Sequence, residues 1–165
     1  MSEETQYLVA TLGEDVLVVI RGRAVYTTCR DFGEFLEKLG KSDTKRLIID
    51  MQECLGVDST VLGLIAGAAE DFRARGGVIV LQRCNERIAG VVENLGLPAL
   101  LDFLPAGKIC PETEEILASG TTAHAAAPAT NHTILVAHEK LMAANPENVA
   151  RFKQVVEFMR ADLGI

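Results

Sequence analysis

The sequence predicts an α/β sandwich, a four- to five-stranded mixed sheet with helices largely on one face, followed by a C-terminal helical extension. Three observations carry this. The chain opens with two short β-prone runs, Tyr7 to Leu12 and Val16 to Gly22. Leu47-Ile48-Ile49 and Val78-Ile79-Val80-Leu81 are aliphatic runs of the kind that fill strands buried on both faces. Between those two lies a helical stretch closed by Gly76-Gly77, which makes a βαβ unit whose crossover is right-handed.

Taken in order, Gly13-Glu14-Asp15 joins the first two runs as a hairpin. From about Thr28 the apolar spacing becomes helical, with Phe32, Phe35, Leu36 and Leu39 on one stripe and Gly40 as its C-cap. The buried strand at Leu47 leads through Cys54-Leu55-Gly56-Val57 into an Asp58-Ser59-Thr60 turn and the central helix. After the next strand, Asn85 caps a helix carrying Ile88, Val91, Val92 and Leu95, which Gly96-Leu97-Pro98 ends. Leu100 to Leu104 reads as a short edge strand or a helix start.

The length suits one domain and an appendage. The domain occupies residues 1–106, a linker with a short helix at Glu112 to Leu117 spans 107–131, and residues 132–165 form a helical hairpin. The Ala/Pro stretch Ala123 to Thr130 reads as flexible. In the hairpin Asn145-Pro146 divides the helices, with Asn as cap and Pro in the first turn.

Composition excludes several functions. No apolar run approaches the roughly 20 residues needed to span a bilayer, so no membrane insertion is expected. Met1-Ser2-Glu3-Glu4 lacks the basic and apolar regions of a secretory signal, and the expected location is the cytoplasm. The net charge of −7 is spread without a basic stripe, which argues against direct nucleic-acid binding. Cys29, Cys54, Cys84 and Cys110 form no CxxC pair and read as free thiols. Neither a GxxxxGK[ST] loop nor a GxSxG elbow occurs, and no cofactor is expected. His132 and His138, six apart, match one helical face poorly, so no metal site is expected.

The Asp58-Ser59-Thr60 turn has two readings. Side-chain oxygens at a helix start accept hydrogen bonds from unpaired backbone N–H groups, and capping alone accounts for Asp58 and Ser59. The same helix terminus also favours an added phosphate. Along the helix, Val61, Leu62, Ile65, Ala69 and Phe72 are placed to face the sheet, whereas Gly63 and Gly67 lie near a separate stripe. Interior glycines each cost up to about 1 kcal/mol against Ala, so some backbone approaches closely there, either the sheet or a docked partner.

The opening hairpin, the first helix, RLIIDMQECLGVDSTVLGLIAGAAEDFRARGG and the VIVLQ strand resemble a STAS domain of the anti-sigma factor antagonist family over roughly residues 7 to 105. The resemblance implies a non-enzymatic partner-switching module that binds an anti-sigma factor, itself a serine kinase, and frees a sigma factor. Phosphorylation by that kinase abolishes binding and a phosphatase restores it. The family pattern D-S-[ST]-G-[LIV]-G puts the phosphate acceptor on Ser59 and the docking surface on Asp58, Ser59, Thr60, Gly63 and Gly67. Val61 stands where the family has glycine, and Val25 where it has aspartate. Val61 adds bulk beside the acceptor serine. Both departures favour an alternative, a constitutive STAS scaffold or adaptor in a sensory or lipid-transport complex without phosphorylation.

An enzyme using Cys54 or Ser59 as nucleophile lacks a general base at informative spacing, and Cys54 reads as buried beneath the turn. In the last helix Val149, Phe152, Val156, Met159 and Leu163 form an apolar seam. It docks either on this chain's own domain or preceding helix, or on a partner, including a second copy in a homodimer.

Overall fold

Alternating apolar residues pair β1 (Gln6–Leu12) with β2 (Asp15–Ala24) in antiparallel register from Gln6 opposite Arg21 to Leu12 opposite Asp15. Gly13 supplies the positive φ, 61°, that the tight turn needs. We describe residues 4–124 and 127–165 from a computed structural model. Met1-Ser2-Glu3 and Ala125-Ala126, part of the N-terminus and of the Ala/Pro stretch discussed above, lie outside the described residues.

The chain then crosses through α1 (Arg30–Gly40) to β3 (Arg46–Asp50), parallel to β2. The four-residue β4 (Cys54–Val57) pairs with the end of β2 and feeds α2 (Ser59–Ala74). The strand β5 (Val78–Gln82) lies parallel to β3, then come α3 (Glu86–Asn94), a 3-10 turn at Leu97–Ala99, and β6 (Asp102–Phe103) parallel to β5. After α4 (Thr113–Ala118), β7 (Thr122–His124) pairs antiparallel with β1. The helices α5 (Asn131–Ala144) and α6 (Glu147–Leu163) close the chain. The strand order is β6-β5-β3-β2-β1-β7, with β4 beside β2.

Alternation along the central strands builds two cores. Val16, Val18 and Ile20, with Leu47, Ile49, Ile79 and Leu81, meet the apolar faces of α1, α2 and α3. The intervening residues Leu17, Val19, Ile48 and Val80 point to the opposite face, where Cys110 and Ile116 cover them. Leu47, Ile48 and Ile49 are all fully enclosed, as a strand with two covered faces requires. Most helices therefore sit on one face, and only the short α4 on the other.

The sheet holds seven strands among the described residues, more than the four or five that the sequence suggests. The short β4 and β7 are the two that carry no alternating apolar signal, and both form by pairing along an edge already present. The pairing of β7 covers the outer edge of β1. Residues Thr122 to His124 are thus strand, where sequence composition suggests flexible linker.

The final hairpin packs back onto the domain, α5 against α2 and α6 against α5. Its turn is latched: the buried Asn148 donates through Nδ2 to the carbonyls of Leu141 at 2.7 Å and Leu95 at 2.9 Å. Arg151 donates to the Asn94 carbonyl at 2.8 Å. Asn145 Oδ1 accepts from the Glu147 N–H, so Asn145 caps α6 as its sequence position suggests. The seam of α6 keeps Phe152, Val156, Met159 and Leu163 on its inner side and departs from the expected one only at its start, where the buried Asn148 replaces Val149, which is 41% exposed. Among the described residues no helix is long and apolar enough to cross a membrane.

Candidate functional site

The candidate site lies at the junction of β4 and α2. Asp58 has extended backbone angles, φ −112° and ψ 177°, and is the N-cap of α2. Its Oδ1 accepts from the Val61 N–H at 3.0 Å and its Oδ2 from the Tyr26 N–H at 2.8 Å. One carboxylate thus satisfies an orphan donor of the helix and ties the β2–α1 loop to it. The capping reading of Asp58 is realised, and Asp58 is committed to structure on both oxygens.

Ser59, the first helical residue, makes a contact that no local pattern signals. Its Oγ lies 2.8 Å from Nε2 of His138, in α5. His138 Nδ1 is 2.7 Å from the Ile134 carbonyl. A carbonyl only accepts, so in the neutral ring Nδ1 carries the proton and Nε2 accepts from the serine hydroxyl. His138 is itself buried and meets Phe152 of α6 edge-on, with ring centroids 5.2 Å apart. This is a base beside Ser59 that sequence spacing does not reveal. The pair nonetheless sits between packed helices, and the neighbouring groove of about 310 Å³ between α1, α2 and α5 has neither residue in its walls. The arrangement positions α5 over Ser59.

Of the other candidate residues, Gly63 and Gly67 continue along the face of Ser59, and Thr60 lies one position round the helix. Thr60 is buried. Gly63 lies directly under α5: a Cβ built there would stand 2.1 Å from the Ala137 carbonyl oxygen and 2.8 Å from its Cα. Gly67 faces the Lys140 side chain, with Cγ 3.3 Å from a Cβ at that position. Lys140 Nζ closes the contact with an ion pair to Glu70 at 3.1 Å. Gly63 is therefore explained by the backbone of the chain's own α5, and Gly67 faces only the flexible Lys140 side chain of the same helix; neither reflects close approach of α2 to the sheet. Ser59, Gly63, Gly67 and Glu70 form one stripe that faces α5, with Gly63 buried and the other three partly exposed.

Val61 corrects the expectation of surface bulk. Its side chain is fully buried in the core with Leu62 and Ile65, so it adds nothing to the face that carries Ser59. Val25 belongs to a turn in which Thr28 Oγ1 accepts from the Val25 N–H at 3.1 Å. Cys54 lies buried beneath the junction, and burial pushes its thiol pKa up, away from nucleophile chemistry. Among the described residues no three His, Cys, Asp or Glu side chains converge on a metal-sized site.

Sequence reasoning missed His138 as a partner of Ser59 and weighed it only as a metal ligand. The available signal was a histidine directly after the apolar residues Ile134 to Ala137, one helical turn from Ile134 and next to Leu141 on the same face, which points to burial with a hydrogen-bonding partner.

A model of the STAS domain matches residues 7–116. Among solved structures, the fold is similar to that of a Thermotoga maritima protein designated an anti-sigma factor antagonist, at 15% identity and a TM-score of 0.57 over 66% of this chain and 92% of that one. It is also similar to the Bacillus cell fate determinant SpoIIAA in its phosphorylated form, at 15% identity and a TM-score of 0.51 over 61% of this chain and 92% of that one. At such identities the likeness is one of fold. No curated protein sequence matches the chain.

Proposed function

The chain belongs to the STAS domain family, and from that membership we propose that it is a regulatory protein-binding module, an anti-sigma factor antagonist that binds an anti-sigma factor serine kinase and is switched by phosphorylation at Ser59. The observation that carries the reading is the position of Ser59: a hydroxyl on the first turn of α2, directly after an N-cap aspartate, in the element order of the fold. The similar structures include one of a phosphorylated protein, SpoIIAA. A phosphate on Ser59 meets the N-terminal dipole of α2, which favours it electrostatically. It also adds charge and strong acceptors to the face that would meet a partner, and repulsion with desolvation then releases the partner. Asp58, Thr60, Gly63 and Gly67 complete the proposed docking surface. The protein acts without catalysis of its own and in the cytoplasm, with a phosphatase resetting the switch.

The test is incubation with the cognate serine kinase and ATP, followed by mass-spectrometric mapping. Phosphate on Ser59 is expected, and modification elsewhere or none sinks the switch. The constitutive scaffold is the second reading, favoured by α5 already lying against the stripe. Partner affinity separates the two, since selective loss in Ser59→Asp against Ser59→Ala supports the switch and equal affinities support the scaffold.

A further inference from the structure

The stripe Ser59, Gly63, Gly67 and Glu70 repeats at intervals of four, four and three along α2, which lines these residues up on one helical face. On a helix, small residues at such spacing let a second backbone approach closely. The Ala137 carbonyl does so at Gly63, where not even a methyl group fits. The covering helix supplies complementary chemistry at each step: a histidine acceptor at the Ser59 hydroxyl, a small residue at Gly63, and a lysine across Gly67 to Glu70. The cover is open along one side. A groove of about 310 Å³ runs beside it between α1, α2 and α5, so α5 is not enclosed on its α1 side. The turn of the hairpin adds polar contacts, Asn148 to Leu95 and Arg151 to Asn94, to the apolar packing of Leu141 and Phe152 on the domain core.

We infer that the Ser59–Gly63–Gly67–Glu70 stripe is a helix-binding surface occupied in cis by α5, and that a partner reaches Ser59 by displacing the α5–α6 hairpin with a helix of the same chemistry. That partner helix presents a small residue at the crossing with Gly63, a basic residue facing Glu70, and a hydrogen-bonding side chain at Ser59. The inference rests on the docking face assigned above, and it adds that α5 occupies that face in the resting chain. Phosphorylation of Ser59 breaks its 2.8 Å contact with His138 Nε2. Modification by a kinase and docking of a helix therefore both require α5 to give way at Ser59.

The test uses the full chain with Ser59→Cys as an accessibility reporter, its thiol labelled by a chromogenic disulfide reagent and corrected for the native cysteines. Two further substitutions open the hairpin from opposite ends. Gly63→Ala expels the Ala137 carbonyl while raising the intrinsic helix propensity of α2. Asn148→Ala removes the latch at a distance from α2. Slow labelling in the Ser59→Cys chain, accelerated at least about tenfold by each opening substitution, is the expected result. Rapid labelling without them overturns the inference, as does acceleration by Gly63→Ala alone, which marks a local defect.

A fluorescein-labelled synthetic peptide spanning residues 130–165 then probes the vacated surface. The Asn148→Ala chain is expected to bind it at least about tenfold more tightly than wild type. Equal binding, or sedimentation showing that the opened chain pairs by exchanging hairpins with a second copy, overturns the cis arrangement. Neither measurement involves phosphate or a sigma-pathway protein. A hairpin that opens as described on a chain that no serine kinase modifies refutes the proposed switch and leaves the helix-binding surface standing.

Discussion

At the residue scale, two carboxylates hold the loops that shape the site. Asp58 serves the Val61 and Tyr26 N–H groups at once. Asp58→Ala is expected to lower stability by about 1–2 kcal/mol in urea unfolding, with Asp58→Asn recovering most of it because the amide oxygen still caps. Equal losses in both would show that charge, and not capping, matters. Asp50 is 1% exposed and pairs with Arg83, whose Nε donates to Oδ1 at 3.0 Å. Arg83 holds this pair from a left-handed backbone, φ 60°. Arg83→Ala leaves a buried carboxylate unpaired and is expected to cost about 3 kcal/mol. Arg83→Gly is expected to cost about 1 kcal/mol less, since glycine relieves the backbone strain. Calorimetry showing no difference between the two would remove the strain from the account.

At the element scale, α2 shows which features of a sequence report on structure and which do not. Its apolar positions and its cap at Asp58 are legible, since both depend on neighbours within one or two turns. The glycines announce a close approach without naming what approaches. That information resides in Ala137 and Lys140, over seventy residues away, and no periodicity links them. The same holds for β4 and β7, which form along edges and not through their own patterning. The α6 seam is legible as a helix face, and the replacement of Val149 by Asn148 at its start is not, because that is set by where Asn148 finds carbonyls.

Orientation within an element also decides the weight of Val61, which is fully buried. Val61→Gly brings this position to the family pattern, yet it empties core volume and loosens the helix, and a loss of about 3 kcal/mol is expected. Phe158→Ser, at a residue 71% exposed on α6, is expected to change stability by under about 0.5 kcal/mol. Denaturation midpoints in the reverse order would overturn this assignment of faces.

At the scale of the whole molecule, stability comes from two apolar cores on one sheet and a hairpin latched over the site, with no covalent bond across them. All four cysteines are free, so a reductant is expected to leave the thermal midpoint unchanged at neutral pH. Their burial still couples the fold to pH. Burial, reinforced by Asp58, pushes the Cys29 thiol up to about 12, and burial, reinforced by Cys54 and Asp50, does the same to Cys84. The ordinary thiol value is 9.0. Below that pH both states keep their protons and these groups add no pH dependence. Between about 9 and about 12 the unfolded chain loses its thiol protons first and binds fewer than the folded one, so stability falls as pH rises through that window. Thermal midpoints recorded from pH 8 to 11 are expected to decline across this range. A Cys29→Ala/Cys84→Ala chain starts from a lower midpoint and declines less steeply, because two of the ionising groups are gone. Parallel declines in the two chains would show that the alkaline sensitivity arises elsewhere, with the Cys54 and Cys110 thiols and the Tyr7 phenol, all pushed up by burial, as the remaining sources.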